Sequence, residues 1–238
     1  MLQPDLQPNS PVHPPGQLIE NVFFERDAQQ VAQDMLGLVL CHRIDGQWLA
    51  AQIIECEAYK KNDKASHASL GYTEKRKALF MPPGTIYMYF ARGGDSFNIS
   101  CGDEGDAVLV KSAIPWPQAP NHKQMVHQMS TNNPLPGGRK RPMEKLCAGQ
   151  TLLCNALALR VRIWDQATFN PNKLILLDTG IRPSKIVQTT RLGIPAGRDE
   201  HLLYRFVDFD HVRFATRNPI PNRKTGKTLP YKVFTNPK

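Results

Sequence analysis

The segment IIECEAY, residues 53–59, is the first stretch whose residue types could carry out chemistry. Strand alternation places Ile53, Glu55, Glu57 and Tyr59 on one face, with Ile54, Cys56 and Ala58 on the other. Carboxylates and a phenol sharing a face can hold and deprotonate a water molecule, or they can pair with cations in a basic chain. The residues alone do not choose between Glu55 and Glu57: either could be the base and the other an ion-pair partner. Like charges this close raise the pKa of one of them, which matters because a general base must be ionised.

A second group lies in TIYMYFARGGDSFNISC, residues 85–101, which reads as two strands around Gly93-Gly94. A two-residue primed turn there predicts Arg92 opposite Asp95, Ala91 opposite Ser96, Phe90 opposite Phe97 and Tyr89 opposite Asn98. Tyr87, Tyr89 and Asn98 then share a polar-aromatic face, backed by Met88, Phe90, Phe97 and Ile99. Cross-strand packing alone can account for paired aromatics, but an amide on the same side adds directional donors and acceptors. Lys111, in DAVLVKSA, supplies a cation. A flat ring-lined slot with an amide at its edge suits a nucleobase. A carboxylate beside it could activate water against an anomeric carbon, where oxocarbenium charge develops. These strands contain no phosphate-cradling glycine loop, and the chain has no G-x-S-x-G elbow.

The elements that must position these groups are legible in outline. Asp27 is a helix cap, followed at helical spacing by Ala28, Val31, Ala32, Met35 and Leu36, and Gly37 ends the run. LVLCHRI and QWLAAQIIECEAY alternate as strands around the turn signal Asp45-Gly46. Residues 60–80 read as an exposed connection with a short helix near its end, MPPGT as a turn, and residues 115–142 as the longest loop. MEKLCAGQTLLCNALAL is predicted helical with a break near Gly149, and the C-terminal third returns to strand-like alternation. Strands and helices are segregated, which predicts an α+β fold: a single domain with a mixed, largely antiparallel curved sheet, a protruding β-hairpin and surrounding helices. The expected division is a disordered Pro-rich leader at 1–17, a folded domain at 18–218 and a basic C-terminal tail at 219–238.

Composition narrows the partners. The 238 residues are 41% hydrophobic, with no apolar run long enough to span a membrane. The leader lacks the basic start and apolar stretch of a secretory signal. Five irregularly spaced cysteines read as free thiols in a reducing, intracellular compartment, cytoplasmic or nucleoid if the chain is bacterial. Cys147 and Cys154 have no C-x-x-C partner or nearby histidine to complete a zinc site, so no metal is expected. The net charge of +9 is lopsided, with seven Lys or Arg and no acid after Asp210. A solvated tail explains this plainly; a polyanion explains it more sharply, with nucleic acid preferred over membrane because no basic amphipathic helix is evident.

In order along the chain, FFERDAQQVAQDMLGLVL, IIECEAY with His67 after it, FMPPGTIYMYF, FNIS, GDAVLVKSA and LCAGQTLLCNALAL resemble the alkyladenine (3-methyladenine) DNA glycosylase family, mammalian-type and found also in bacteria. The likeness runs from about residue 22 to 160, and RLGI with a strand-like tail extends it towards 216. It implies a monofunctional base-excision repair enzyme, acting as a monomer without cofactor, metal or covalent lysine intermediate. Its substrate would be double-stranded DNA containing alkylated or deaminated purines of the 3-methyladenine, 7-methylguanine and hypoxanthine class, flipped out from the minor-groove side. Carried across by motif, Glu57 is the general base that activates water, which leaves Glu55 structural. Tyr59 and Tyr89 sandwich the base, His67 completes the stack, and the His67 backbone donates to the base edge. Asn98 is the gate against the 2-amino group of guanine. Lys111 stands where the family often has arginine, near the water and the DNA backbone.

Two positions depart from that pattern. Arg92 occupies the hairpin tip where relatives carry a wedged tyrosine; it either plugs the gap left by the flipped nucleotide or pairs with Asp95. GQTLL places Leu152 where a cation is expected, and Arg139, Lys140 and Arg141 of GGRKR offer loop-borne replacements for DNA binding. The same departures define an alternative: a catalytically impaired nucleic-acid-binding module of the same fold. A hydrolase acting on free nucleosides is a weaker third reading, opposed by the lopsided basic charge.

Overall fold

The computed structural model describes residues 13–91, 93–220 and 230–236. In chain order its elements are β1 (Gln17–Leu18), α1 (Ala28–Asp34), β2 (Val39–Ile44), β3 (Gln47–Tyr59), β4 (Ile86–Ala91), β5 (Gly94–Ser100), β6 (Ala107–Pro115), α2 (His122–Asn132), α3 (Gln150–Ala156), α4 (Val161–Trp164), β7 (Leu174–Asp178), β8 (Lys185–Thr189), β9 (Arg205–Asp208) and β10 (Tyr231–Thr235), with short 3-10 turns between them. The sheet runs β1-β7-β2-β3-β6-β5-β4, and a branch adds β9 to β3, β8 to β9 and β10 to β8. The architecture is the expected single-domain α+β. Its sheet is not mixed: every pairing between the described strands is antiparallel. Among the described residues, no helix is long and apolar enough to cross a membrane.

β3 is the hub. Its first part pairs with β2 and its last part with β9, while β6 follows its other edge. That position buries both of its faces from Trp48 to Ala58, so the alternation of residue types in IIECEAY does not mark a core face and an open face: the strand is enclosed on each side. The β3–β6 ladder slips between Ile53 and Glu55 and slips back between Glu55 and Cys56. Ile54 is the extra residue in one slip and Lys111 in the other, as the partners Glu55–Ser112 and Cys56–Val110 require. Bulges re-aim side chains. Here the second one lets the neighbours Lys111 and Ser112 both reach acids of β3.

Local chemistry explains the other elements that matter to the site. The Asp27 carboxylate accepts from the backbone of Gln29 at 2.9 Å and starts α1, whose Ala28, Val31 and Ala32 pack into the core. Asp45 and Gly46 both have positive φ, as the tight turn between β2 and β3 demands. Residues 67–70 and 74–80 are 3-10 turns in the otherwise exposed connection after β3.

Two expectations are corrected. The β4–β5 hairpin pairs Tyr87 with Asn98, Tyr89 with Ser96, Phe90 with Asp95 and Ala91 with Gly94. The last pair before the turn is therefore Ala91–Gly94, and the register moves by two residues from the expected one. A two-residue shift preserves the faces, so Tyr87, Tyr89 and Asn98 still lie together. Gly94 begins β5, paired with Ala91, and α3 comes so close that a Cβ there would meet Thr151 Cγ2 at 2.1 Å. The second correction concerns residues 115–142, which contain α2 rather than one long loop. That helix is mostly polar: Met125 and Met129, spaced i, i+4, are buried in the core, and Val126 packs partly buried against it.

The segment read as a basic tail contributes β10, which pairs with β8, and the end of the leader contributes β1. All five cysteines are free and buried.

Candidate active site

A cavity of about 410 Å³ opens beside the ends of β3, β4 and β6, within the size range of sites for small ligands. Tyr59, His67, Tyr87, Tyr89, Asn98 and Lys111 all line it. Five residues anticipated from sequence for the base pocket and its cation therefore converge on one space. They come from β3, β4, β5, β6 and the connection after β3, brought together because β3 and β5 flank β6 in the sheet.

The aromatic wall is tightly organised. Tyr87 and Tyr89 have ring centroids 5.5 Å apart. The His67 ring lies 4.6 Å from Tyr89 at an interplanar angle of 60°, so it meets that ring edge-on instead of as a third parallel layer. His67 Nδ1 lies 2.8 Å from the Tyr87 hydroxyl. Burial, reinforced by Arg76 and Arg198, lowers the His67 pKa and favours a neutral imidazole. The Asn98 amide donates to the Tyr87 carbonyl at 3.0 Å, which fixes its orientation at the cavity edge.

Glu57 sits one layer behind this wall. Its side chain is fully buried and is not among the lining groups, but it touches three residues that are. Oε2 accepts from the Tyr59 hydroxyl at 2.8 Å and from Lys111 Nζ at 3.4 Å, and Oε1 accepts from the Leu192 backbone at 3.1 Å. Burial raises the pKa of this carboxyl. The opposing effects of Lys111, the Leu192 N–H, Arg205 and the Tyr59 hydroxyl outweigh it, and the net value lies below that of an ordinary glutamate. Glu57 is thus held ionised. Burial and the adjacent Glu57 charge push the Tyr59 phenol well up, so it remains a donor. A carboxylate has about four lone-pair directions; donors from the described residues occupy three, leaving capacity on Oε1.

Glu55 is arranged differently. Oε1 accepts from Arg205 Nε at 2.6 Å, and Oε2 accepts from the Ser112 hydroxyl at 2.5 Å and the Thr216 backbone at 2.8 Å. It is fully buried and does not line the cavity.

Several residues were not anticipated. Arg191, buried in a pair with Asp63, lies 4.6 Å over the Tyr59 ring and 5.3 Å over Tyr204. Leu192 supplies the backbone donor to Glu57. Gln150, at the start of α3, links Lys111 to the hairpin. Arg198 lines the cavity mouth. The RLGI motif, residues 191–194, was the one available signal for the first two; nothing local marks the others. Of the cations anticipated for DNA binding, Arg139 and Lys140 are exposed, whereas the Arg141 guanidinium donates to the carbonyls of Asn133 and Pro134. None of these three lines the cavity. Arg92 lies outside the described residues, and its suggested partner Asp95 is 3.6 Å from Arg160.

Comparison with known proteins agrees with the resemblance. The model of the family described as methylpurine-DNA glycosylase (MPG) matches residues 22–212. A protein of Pseudomonas syringae pv. tomato, named "Putative 3-methyladenine DNA glycosylase", is 57% identical over 202 residues, covering 85% of this chain and 91% of its own. A Pseudomonas aeruginosa protein of the same name is 54% identical over 207 residues, 87% of each chain. One from Carboxydothermus hydrogenoformans is 33% identical over 194 residues, covering 79% of this chain and 94% of its own. On the strength of these matches and of the cavity they share a chain with, the protein belongs to the methylpurine-DNA glycosylase family and is in class a DNA N-glycosyl hydrolase of base-excision repair.

Proposed function

We propose that the protein flips alkylated or deaminated purines, including 3-methyladenine, 7-methylguanine and hypoxanthine, out of duplex DNA into this cavity and hydrolyses the N-glycosidic bond with a Glu57-activated water. The observation that carries the reading is an ionised, buried carboxylate whose partners Tyr59, Lys111 and Leu192 form the wall of an aromatic cavity. The water oxygen adds to C1′, the C1′–N bond breaks with its electron pair leaving on the purine, and the water proton passes to Glu57. Because the transition state is oxocarbenium-like, the water becomes more acidic as it adds, and a carboxylate of lowered basicity suffices. The same negative charge stabilises the developing positive charge on the sugar. The spare lone-pair direction on Oε1 is where the water binds, at the junction of the three lining residues.

Tyr59, Tyr89 and the edge of His67 hold the extruded base, and a purine alkylated on a ring nitrogen is cationic and gains cation–π attraction there. Extrusion costs a few kcal/mol, least for damaged bases, and stacking returns about 1–3 kcal/mol per base. Asn98, pinned by Tyr87, excludes the 2-amino group of guanine. Lys111 fixes Glu57, and Arg92, Arg139, Lys140 and Arg141 contact the duplex.

The test is incubation of hypoxanthine- or 3-methyladenine-containing duplex, then alkaline cleavage at abasic sites. Breakage by the wild type and not by Glu57→Gln supports the reading. Duplex binding without base release by the wild type overturns it in favour of a binding module, and release from free nucleosides overturns the DNA substrate.

A further inference from the structure

Lys111 is the extra residue of a bulge, and a long side chain at such a position needs something to hold it in place. Its ammonium lies 3.4 Å from Glu57 Oε2, too far to count as a strong charge-assisted hydrogen bond. Its short contact is with Gln150 Oε1, at 2.9 Å. Because an ammonium only donates, the glutamine oxygen must face it, which leaves the Gln150 amide nitrogen to donate elsewhere. It donates to Ser96 Oγ at 2.7 Å. Ser96 is fully buried and lies opposite Tyr89 in the hairpin. Gln150 is itself anchored: it opens α3, directly after Gly149 at φ +126°, and the next residue, Thr151, packs against Gly94 so closely that no side chain fits there.

We propose that Gln150 is a positioning residue that fixes the Lys111 ammonium against Glu57, and thereby orients the base that activates water. The proposal rests on Glu57 acting as that base. Without Gln150 the ammonium keeps, among the described residues, its long contact to Glu57 and can turn towards the open cavity. The arrangement also ties the catalytic pair to the strand that carries a wall of the base slot, through one side chain with a bond at each end.

The experiment measures single-turnover base release from a hypoxanthine-containing duplex across pH for the wild type, Gln150→Leu, Lys111→Met and the double variant. Gln150→Leu is expected to lower the rate between about 10- and 100-fold, the scale of a small misplacement of a reacting group. Its acid limb should also move to higher pH, because a Glu57 that has lost its cation protonates sooner. Duplex affinity should stay at the wild-type value, and the melting temperature should fall by only a few degrees, the cost of leaving the buried Ser96 hydroxyl without this partner. In the Lys111→Met background, Gln150→Leu should cost nothing further, since the residue acts through Lys111. If release by Lys111→Met is too slow to time, the position of the acid limb in Gln150→Leu decides alone. An unmoved acid limb, or an equal loss in both backgrounds, overturns the proposal. Glu57→Gln run alongside separates the two ideas, because base release by that variant breaks the assignment of the base and not merely the role of Gln150.

Discussion

Glu55 and Glu57 lie two positions apart on β3, both are fully buried, and each has a cation beside it, yet their surroundings differ. Glu55 is paired with Arg205 at 2.6 Å and is also bonded to Ser112 and Thr216, so its oxygens are engaged in a closed buried network. Glu57 has a looser cation, shared with Gln150, and its partners are the residues that face the cavity. A buried carboxylate with a close ion pair away from any cavity stabilises or specifies a fold, whereas one with a looser cation and partners that face a cavity can exchange a proton. Residue type and the number of donors, three to each carboxylate, are therefore uninformative here; the two acids differ in how close the cation sits and in whether their partners face the cavity.

The comparison breaks most decisively at Glu57. Glu57→Gln should reduce base release by about 10²–10⁴-fold, the usual worth of a general base, while leaving the chain folded. A variant that releases purines at the wild-type rate removes the distinction altogether. Glu55→Ala should do the reverse. It strands the Arg205 guanidinium in the interior, an effect of about 3–5 kcal/mol on unfolding free energy by denaturant titration, with little change in rate per folded molecule. An unaltered midpoint would mean that the closed network is not structural.

Acid pH gives a sharper, smaller test. The Glu57 carboxyl is depressed in the fold, so its stabilisation is whole above the unfolded-chain value and is lost as pH falls through the lower folded value. Release of 7-methylguanine, which needs no protonation to leave, should stay on its plateau down to the ordinary glutamate value of 4.5 and decline only below it. An inflection near neutrality would assign the base to another group. The smallest effects belong to the distal cations. Arg139→Ala and Lys140→Ala should each reduce the salt slope of duplex binding by about one unit without changing the single-turnover rate. Arg141→Ala should also loosen the loop, because its guanidinium holds the carbonyls of Asn133 and Pro134. Salt-independent binding by the wild type would count against a role for the duplex.

Much of the site was legible because its signals are local. Alternation placed Glu57 with Tyr59, and Tyr87 and Tyr89 with Asn98, and these faces survived a hairpin register that differs from the expected one by two residues. An odd shift would have inverted them. Asp27 and Asp45-Gly46 announced a cap and a turn because each meets a backbone requirement within a few residues of itself. The helix α2 was missed because its apolar contacts come from only Met125, Val126 and Met129 in a polar segment rich in turn-forming neighbours. The Lys111 bulge was invisible, since a slip in register depends on which strand lies alongside and not on any residue in the strand that slips.

The sequence by itself determined the class of fold, the acidic and aromatic faces, and a basic chain suited to a polyanion, because periodicity and charge are properties of the chain. It did not determine which carboxylate is held by Arg205 and which by Lys111. Thr216, which donates to Glu55, and Leu192, which donates to Glu57, stand 161 and 135 residues away along the chain, and Gln150 stands 39 from the Lys111 it holds. Only the tertiary structure brings them within hydrogen-bonding distance. In a buried, water-poor site those contacts decide which carboxylate is locked to a close guanidinium and which is joined to the cavity wall, the difference on which the proposed roles rest.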